Sequence, residues 1–237
     1  NAGRFSNKSP SARDLQYRIY DNSSIDQTLE DKMKHFSNAF FVVLMGLSLA
    51  TVAQAGGNAS AGKNKVASCG ACHGNDGNSQ IPSNPKLAGQ GEKYLYKQLK
   101  DVQRGDREIA MMVGQLDNFN DADLADIAAY YASQTQTQGA SEAKWVELGE
   151  EIYRNGNHER GIPSCTGCHG PAGAGNAPAG FPMIAGQHAD YLATQLRYFS
   201  VGTRNNDGQS MVMRGIAERM NENEIQAVAS YVAGLRE

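Results

Sequence analysis

The chain has 237 residues, 40% hydrophobic and 20% charged, proportions of a globular protein and not of a disordered or collagen-like one. Its 22 Lys/Arg against 25 Asp/Glu give a formal net charge of -3, which argues against a general nucleic-acid binder, normally strongly basic.

Residues 1–32 are polar and aperiodic, begin with Asn1, and precede the start-like Met33; they read as an extension upstream of the native start. From Met33-Lys34-His35 the chain enters an apolar run, Ala39 to Ala53, and ends it on Ala53-Gln54-Ala55. A short basic start, about 15 apolar residues and a small-x-small ending describe a secretory signal peptide over 33–55, too short for the roughly 20 residues of a membrane span. Cleavage is expected after Ala55, the alternative being that the segment stays as a membrane anchor. Removing the six basic and five acidic residues of 1–55 leaves 16 against 20, a net charge of about -4 for the exported part.

From Gly56 the sequence repeats. Its four cysteines fall in two patterns 96 residues apart, Cys69-Gly-Ala-Cys72-His73-Gly74 and Cys165-Thr-Gly-Cys168-His169-Gly170. At an offset of 97, Pro85, Gln90, Tyr94, Gln98, Gly105 and Arg107 meet Pro182, Gln187, Tyr191, Gln195, Gly202 and Arg204. At 101, Asn120, Leu124, Ile127, Ala128 and Tyr130 meet Asn221, Ile225, Val228, Ala229 and Tyr231. The polar stretch Thr135 to Ala143 reads as a linker, giving domains at 56–135 and 144–237 with 136–143 between them.

Each half predicts a short helix leading into the cysteines, a glycine-rich loop, a middle helix starting near Glu92 or Ala189, and a terminal helix. Asn120 with Asp123 and Asn221 with Glu224 are expected N-caps with an acid at the third position. No strand is predicted. An all-α unit of roughly 80 to 95 residues with long Gly/Pro loops has little core of its own, a shortfall that a large apolar cofactor would fill.

Cys-x-x-Cys-His is the attachment sequence of c-type haem: two thiols form thioethers and the adjacent His supplies an axial iron ligand. Cys69, Cys72, Cys165 and Cys168 are thus the expected covalent anchors of two haems, with His73 and His169 as iron ligands. The competing readings are a disulfide redox pair, which would need a βαβ context, and a zinc site, which would bring both pairs into one unit. For the second axial ligand the first repeat offers only Met111 and Met112, whereas the second offers Met183, Met211, Met213, Met220, His158 and His188. Only Met112 and Met213 share a register, at 101, and they are the expected ligands, with Met111 and Met211 as alternatives. Met183 and Met220 read as apolar packing, His158 and His188 as surface or supporting residues, and Gln90 and Gln187 as braces of their loops. Pro85 and Pro182 are the expected carbonyl acceptors for the ring N–H of the axial histidines. His/Met ligation fills both axial positions, which favours outer-sphere electron transfer over catalysis.

The segments Cys69-Gly-Ala-Cys72-His73-Gly-Asn-Asp-Gly, Pro85-Lys-Leu-Ala-Gly-Gln-Gly, Asp121-Ala-Asp-Leu-Ala-Asp-Ile-Ala-Ala-Tyr, Cys165-Thr-Gly-Cys168-His169, Ala185-Gly-Gln-His and Asn206-Asp-Gly resemble the cytochrome c4 family over residues 56–237. The resemblance implies two tandem class I cytochrome c domains related by a pseudo-twofold, with haem propionates near each other across the interface. Met112 and Met213 fall where the family places its axial methionines. It implies a periplasmic carrier, often membrane-associated, taking single electrons from a quinol:cytochrome c oxidoreductase to a terminal oxidase or reductase. The alternatives are a cytochrome subunit of a larger dehydrogenase complex and, more remotely, an enzyme or sensor with open iron.

Overall fold

In the computed structural model, which describes residues 56–236, the first half runs α1 (Ala59–Lys63), α2 (Gly70–His73), α3 (Glu92–Arg104), a 3-10 turn (Ala110–Met112) and α4 (Asp121–Ala132). A second 3-10 turn (Ala143–Trp145) opens the second half, followed by α5 (Val146–Asn155), α6 (Thr166–His169), α7 (Ala189–Ser200), α8 (Val212–Ala217) and α9 (Glu222–Ala233). The extension and the signal segment expected at 1–55 lie outside the described residues. No strand occurs among the described residues, only the isolated bridges Asn157–Ile162 and Asn176–Phe181.

The terminal helices start where their caps dictate. Asn120 and Asn221 accept the N–H of Asp123 and Glu224, both at 3.0 Å, and those acids accept the asparagine N–H at 3.0 and 2.7 Å. Each reciprocal pair satisfies donors that the first turn would otherwise leave unpaired. The buried face of α4 carries Leu124, Ile127, Ala128 and Tyr131, that of α9 Ile225, Val228, Ala229 and Val232, at i, i+3, i+4 and i+7. Each centres a separate core: Val66, Leu95 and Leu116 join the first, Ile152, Tyr153 and Ile162 the second.

Within each unit the first helix crosses the last at a glycine. A Cβ on Gly62 would fall inside contact distance of the Asp126 carbonyl and 2.8 Å from Tyr130 Cβ; on Gly149 it would meet the Ala227 carbonyl and Tyr231 Cβ. Only glycine lets those backbones approach so closely. The halves are not identical, since α1 has five residues and α5 ten, and where one half has a 3-10 turn of three residues the other has helix α8 of six. The sequence pattern of three helices per half did not anticipate α8.

A reciprocal set of polar contacts joins the two units. Gln90 accepts from Met183 N at 2.9 Å and donates to Met183 O at 2.8 Å; Gln187 does the same to Lys86 N and O, at 2.9 and 2.8 Å. Each glutamine braces its own loop, as the sequence suggested, Gln90 accepting Gly91 N at 3.0 Å and Gln187 His188 N at 2.9 Å, and with the same side chain braces the loop of the opposite unit. Buried Arg107 donates to Gln98 in its own unit and to Tyr191 and Gln195 in the other; Arg204 mirrors this with Gln195, then Tyr94 and Gln98. Every partner has its counterpart 97 residues away, a pseudo-twofold pattern. The segment between the units is tied down: Asn78 accepts Thr137 N at 2.7 Å and donates to Thr135 O, while Ser141 and Glu142 bond Tyr231 O and Ser230 Oγ.

Candidate functional site

Each Cys-x-x-Cys-His run folds as a single helical turn, α2 or α6, with the first cysteine at its N-cap. Positions i, i+3 and i+4 of a helix share one face, so Cys69, Cys72 and His73 converge, as do Cys165, Cys168 and His169. The loops that follow are held at fixed points. Tyr130 donates to Asn75 O at 2.9 Å and Tyr153 to Gly170 O at 2.6 Å; Ser79 and Asn84 both donate to Cys72 O, at 2.8 and 3.2 Å.

The histidines are oriented as expected. His73 Nδ1 lies 3.0 Å from Pro85 O and His169 Nδ1 2.9 Å from Pro182 O. A carbonyl only accepts, so the proton sits on Nδ1 and Nε2 is left with its lone pair, the state of an imidazole able to ligate iron. Burial lowers the pKa of both rings and favours the neutral form, although each carbonyl opposes this.

None of the four cysteines is disulfide-bonded. Burial raises the Cys69 thiol above its ordinary value and pushes Cys165 up to about 11. A thiol–disulfide exchange pair works through a lowered thiol pKa, so these sites have the opposite electrostatics. The cysteine pairs occupy separate units, and no group of three or more His, Cys, Asp or Glu able to hold a metal ion occurs among the described residues, which removes the four-cysteine zinc reading.

The expected methionines lie half-buried, Met112 against the first core and Met213 on the first turn of α8, whereas Met111 is 78% and Met211 50% exposed. Met211 takes φ 47°, a left-handed conformation that turns the chain into α8. Met220 is buried in the second core, His158 is exposed, and His188 Nε2 bonds Ser79 O at 2.8 Å across the two units. The residues present fit a covalently held haem: paired thiols on one face of a turn, a neutral imidazole with a free nitrogen, and a buried unpartnered hydroxyl, Tyr131, beside the first cysteine. Sequence reasoning put Tyr131 on the apolar face of the terminal helix and gave it no part in the site, and it gave no role to the recurring Arg107 and Arg204, although the repeat displayed those arginines.

Comparison with known proteins places this geometry. The cytochrome c family model matches residues 59–135 and again 146–236. The chain is similar to a cytochrome c4 from Azotobacter vinelandii, 49% identical over 208 residues that cover 84% of this chain and 99% of that protein. The crystal structure of reduced recombinant cytochrome c4 from Pseudomonas stutzeri matches with a TM-score of 0.75 at 49% identity, covering 76% of this chain and all of the other. A protein of Stutzerimonas stutzeri named thiosulfate dehydrogenase electron acceptor is 40% identical over 172 residues, covering 70% of this chain and 78% of its own. The chain belongs to the cytochrome c family, as a dihaem member of the cytochrome c4 group built from two helical cytochrome c domains that bind two covalent haems.

Proposed function

We propose that Cys69 and Cys72 hold the first haem and Cys165 and Cys168 the second, with His73 and Met112, and His169 and Met213, as the axial iron ligands. The observation that carries this reading is that both units hold an imidazole oriented by a proline carbonyl and, in the common register of the repeat, a half-buried methionine. Haem iron supplies reversible one-electron chemistry. The polypeptide fixes the imidazole tautomer through the proline carbonyls and keeps His73, His169, Met112 and Met213 at least partly buried.

In this reading the chain is an electron-transfer protein and not an enzyme. It works in the periplasm, takes single electrons from a quinol:cytochrome c oxidoreductase and passes them to a terminal oxidase or reductase, with peripheral association at the membrane. No helix among the described residues is long and apolar enough to cross a bilayer. Exposed Met111 and Val113 flank Met112, and exposed Met211 and Val212 precede Met213, apolar collars on which a redox partner can seat. Replacing Met112 and Met213 one at a time tests the ligand set: each change lowers one reduction potential and abolishes low-spin character in one haem only. Unchanged spectra would assign the ligand elsewhere.

A second reading has the chain as the electron-accepting cytochrome subunit of a dehydrogenase, favoured by its 40% identity to the thiosulfate dehydrogenase electron acceptor. Rapid reduction of the haem-loaded chain by such a dehydrogenase, and slow reduction by a quinol-oxidising complex, would select it.

A further inference from the structure

The Tyr131 hydroxyl is buried without a hydrogen-bond partner, and it stands alone in this among the described residues. The residue is 2% exposed, its ring is wedged against Gly77 and Tyr130, and it belongs to the core on which Cys69 packs. Native interiors rarely leave such a group unpaired, so its partner is to be sought in what the mature site acquires. Cys69 packs against the core that holds Tyr131, and its sulfur is near enough to act on the hydroxyl, although no hydrogen bond of ordinary geometry joins the two while the sulfur is a free thiol. A free thiol both donates and accepts, but a thioether sulfur only accepts. Attachment of haem therefore removes a competing donor and leaves the tyrosine O–H facing an acceptor.

The second unit has no equivalent. At the offset of 101 Tyr130 meets Tyr231, but Tyr131 meets Val232, which is equally buried and carries no donor. The tyrosine that does lie near Cys165, Tyr153, comes from α5, and its hydroxyl is engaged by Gly170 O at 2.6 Å.

We propose that Tyr131 is a positioning residue whose hydroxyl donates to the haem-bound Cys69 sulfur, raises the reduction potential of the first haem and so makes two homologous haems inequivalent. The direction follows from electrostatics: reduction adds negative charge, and a donor dipole with its positive end toward the macrocycle edge stabilises the reduced form. The inference rests on the reading that Cys69 anchors the first haem.

The test is Tyr131→Phe in the haem-loaded chain, followed by spectroelectrochemical titration and resonance Raman of the thioether C–S bands. One potential falls, by about a tenfold change in oxidised-to-reduced ratio at fixed applied potential, ~59 mV for one electron, while the other stays and one C–S band moves. Both potentials unchanged, or both falling together, overturns the inference. If the phenylalanine variant does not accumulate, a ring-fluorinated tyrosine at 131, a stronger donor, must raise that potential; no change contradicts the proposal. Haem content read on the same samples separates the two claims. Fewer than two haems per chain sinks the assignment of the sites; two haems with unmoved potentials sinks only the role of Tyr131.

Discussion

Asp207 shows how one carboxylate can set the position of a proposed ligand. It accepts the backbone N–H of Arg214 at 3.0 Å and the Arg214 guanidinium at 2.7 Å, at the residue that follows Met213. Burial alone would raise the Asp207 pKa, but the Arg214 backbone and guanidinium outweigh it and hold the carboxyl below its ordinary 3.8. The folded value being the lower one, this pair stabilises fully above the unfolded pKa and is lost as pH falls from there through the folded value. Asp207→Asn is therefore expected to reduce stability by about 1–3 kcal/mol at neutral pH. It should also flatten the acid limb near and below pH 4, read by the low-spin spectrum of the second haem across an acid titration. Residues of this kind were invisible in the sequence. His73, His169 and the four cysteines announce themselves through spacing, but Asp207 acts through an atom seven residues away and Tyr131 through a neighbour 62 positions distant in the chain.

Helix boundaries were far more legible, because the forces that set them are local. Asn120 and Asn221 bond residues three positions on, so the capping pattern sufficed to place the starts of α4 and α9. Asn221→Ala should lower stability by about 1 kcal/mol in chemical denaturation, with Asn120→Ala close to it. Where packing decides, the pattern failed: nothing local distinguishes the 3-10 turn at Ala110–Met112 from α8, although both precede a terminal helix at the same register. The helix crossings are of this second kind. Gly62→Ala and Gly149→Ala each drive a methyl into a carbonyl of the last helix, and forced separation of α1 from α4 or α5 from α9 is expected to cost about 1–3 kcal/mol. Thermal unfolding of the haem-loaded chain measures this; an unshifted midpoint would mean that the crossings relax freely.

At the scale of the molecule the repeat revealed which residues recur but not whom they touch. Gln90 and Gln187 read as local braces, and each does hold its own loop, but each also reaches the loop carrying its counterpart's proline-histidine contact, Lys86 beside Pro85 and Met183 beside Pro182. A repeat cannot distinguish a contact within one unit from the same contact swapped between two. The buried arginines make the joint strongly directional, since among the described residues neither has a carboxylate within ion-pair distance and each donates to neutral acceptors from both units. Arg107→Met leaves Tyr191 and Gln195 short of a partner and should lower stability by about 1–3 kcal/mol, with Arg204→Met similar because the partners are mirrored. Denaturation followed at the haem absorbance of both units checks this, and near-equal losses are the signature of the pseudo-twofold joint.

The most direct measurement of the whole account is an anaerobic reductive titration of the purified, haem-loaded chain under carbon monoxide. Two closed coordination shells predict uptake of two electrons per chain, positive potentials for both haems, and no carbon monoxide adduct at neutral pH. One electron per chain, or a haem that binds the gas, would contradict a molecule built only to pass electrons.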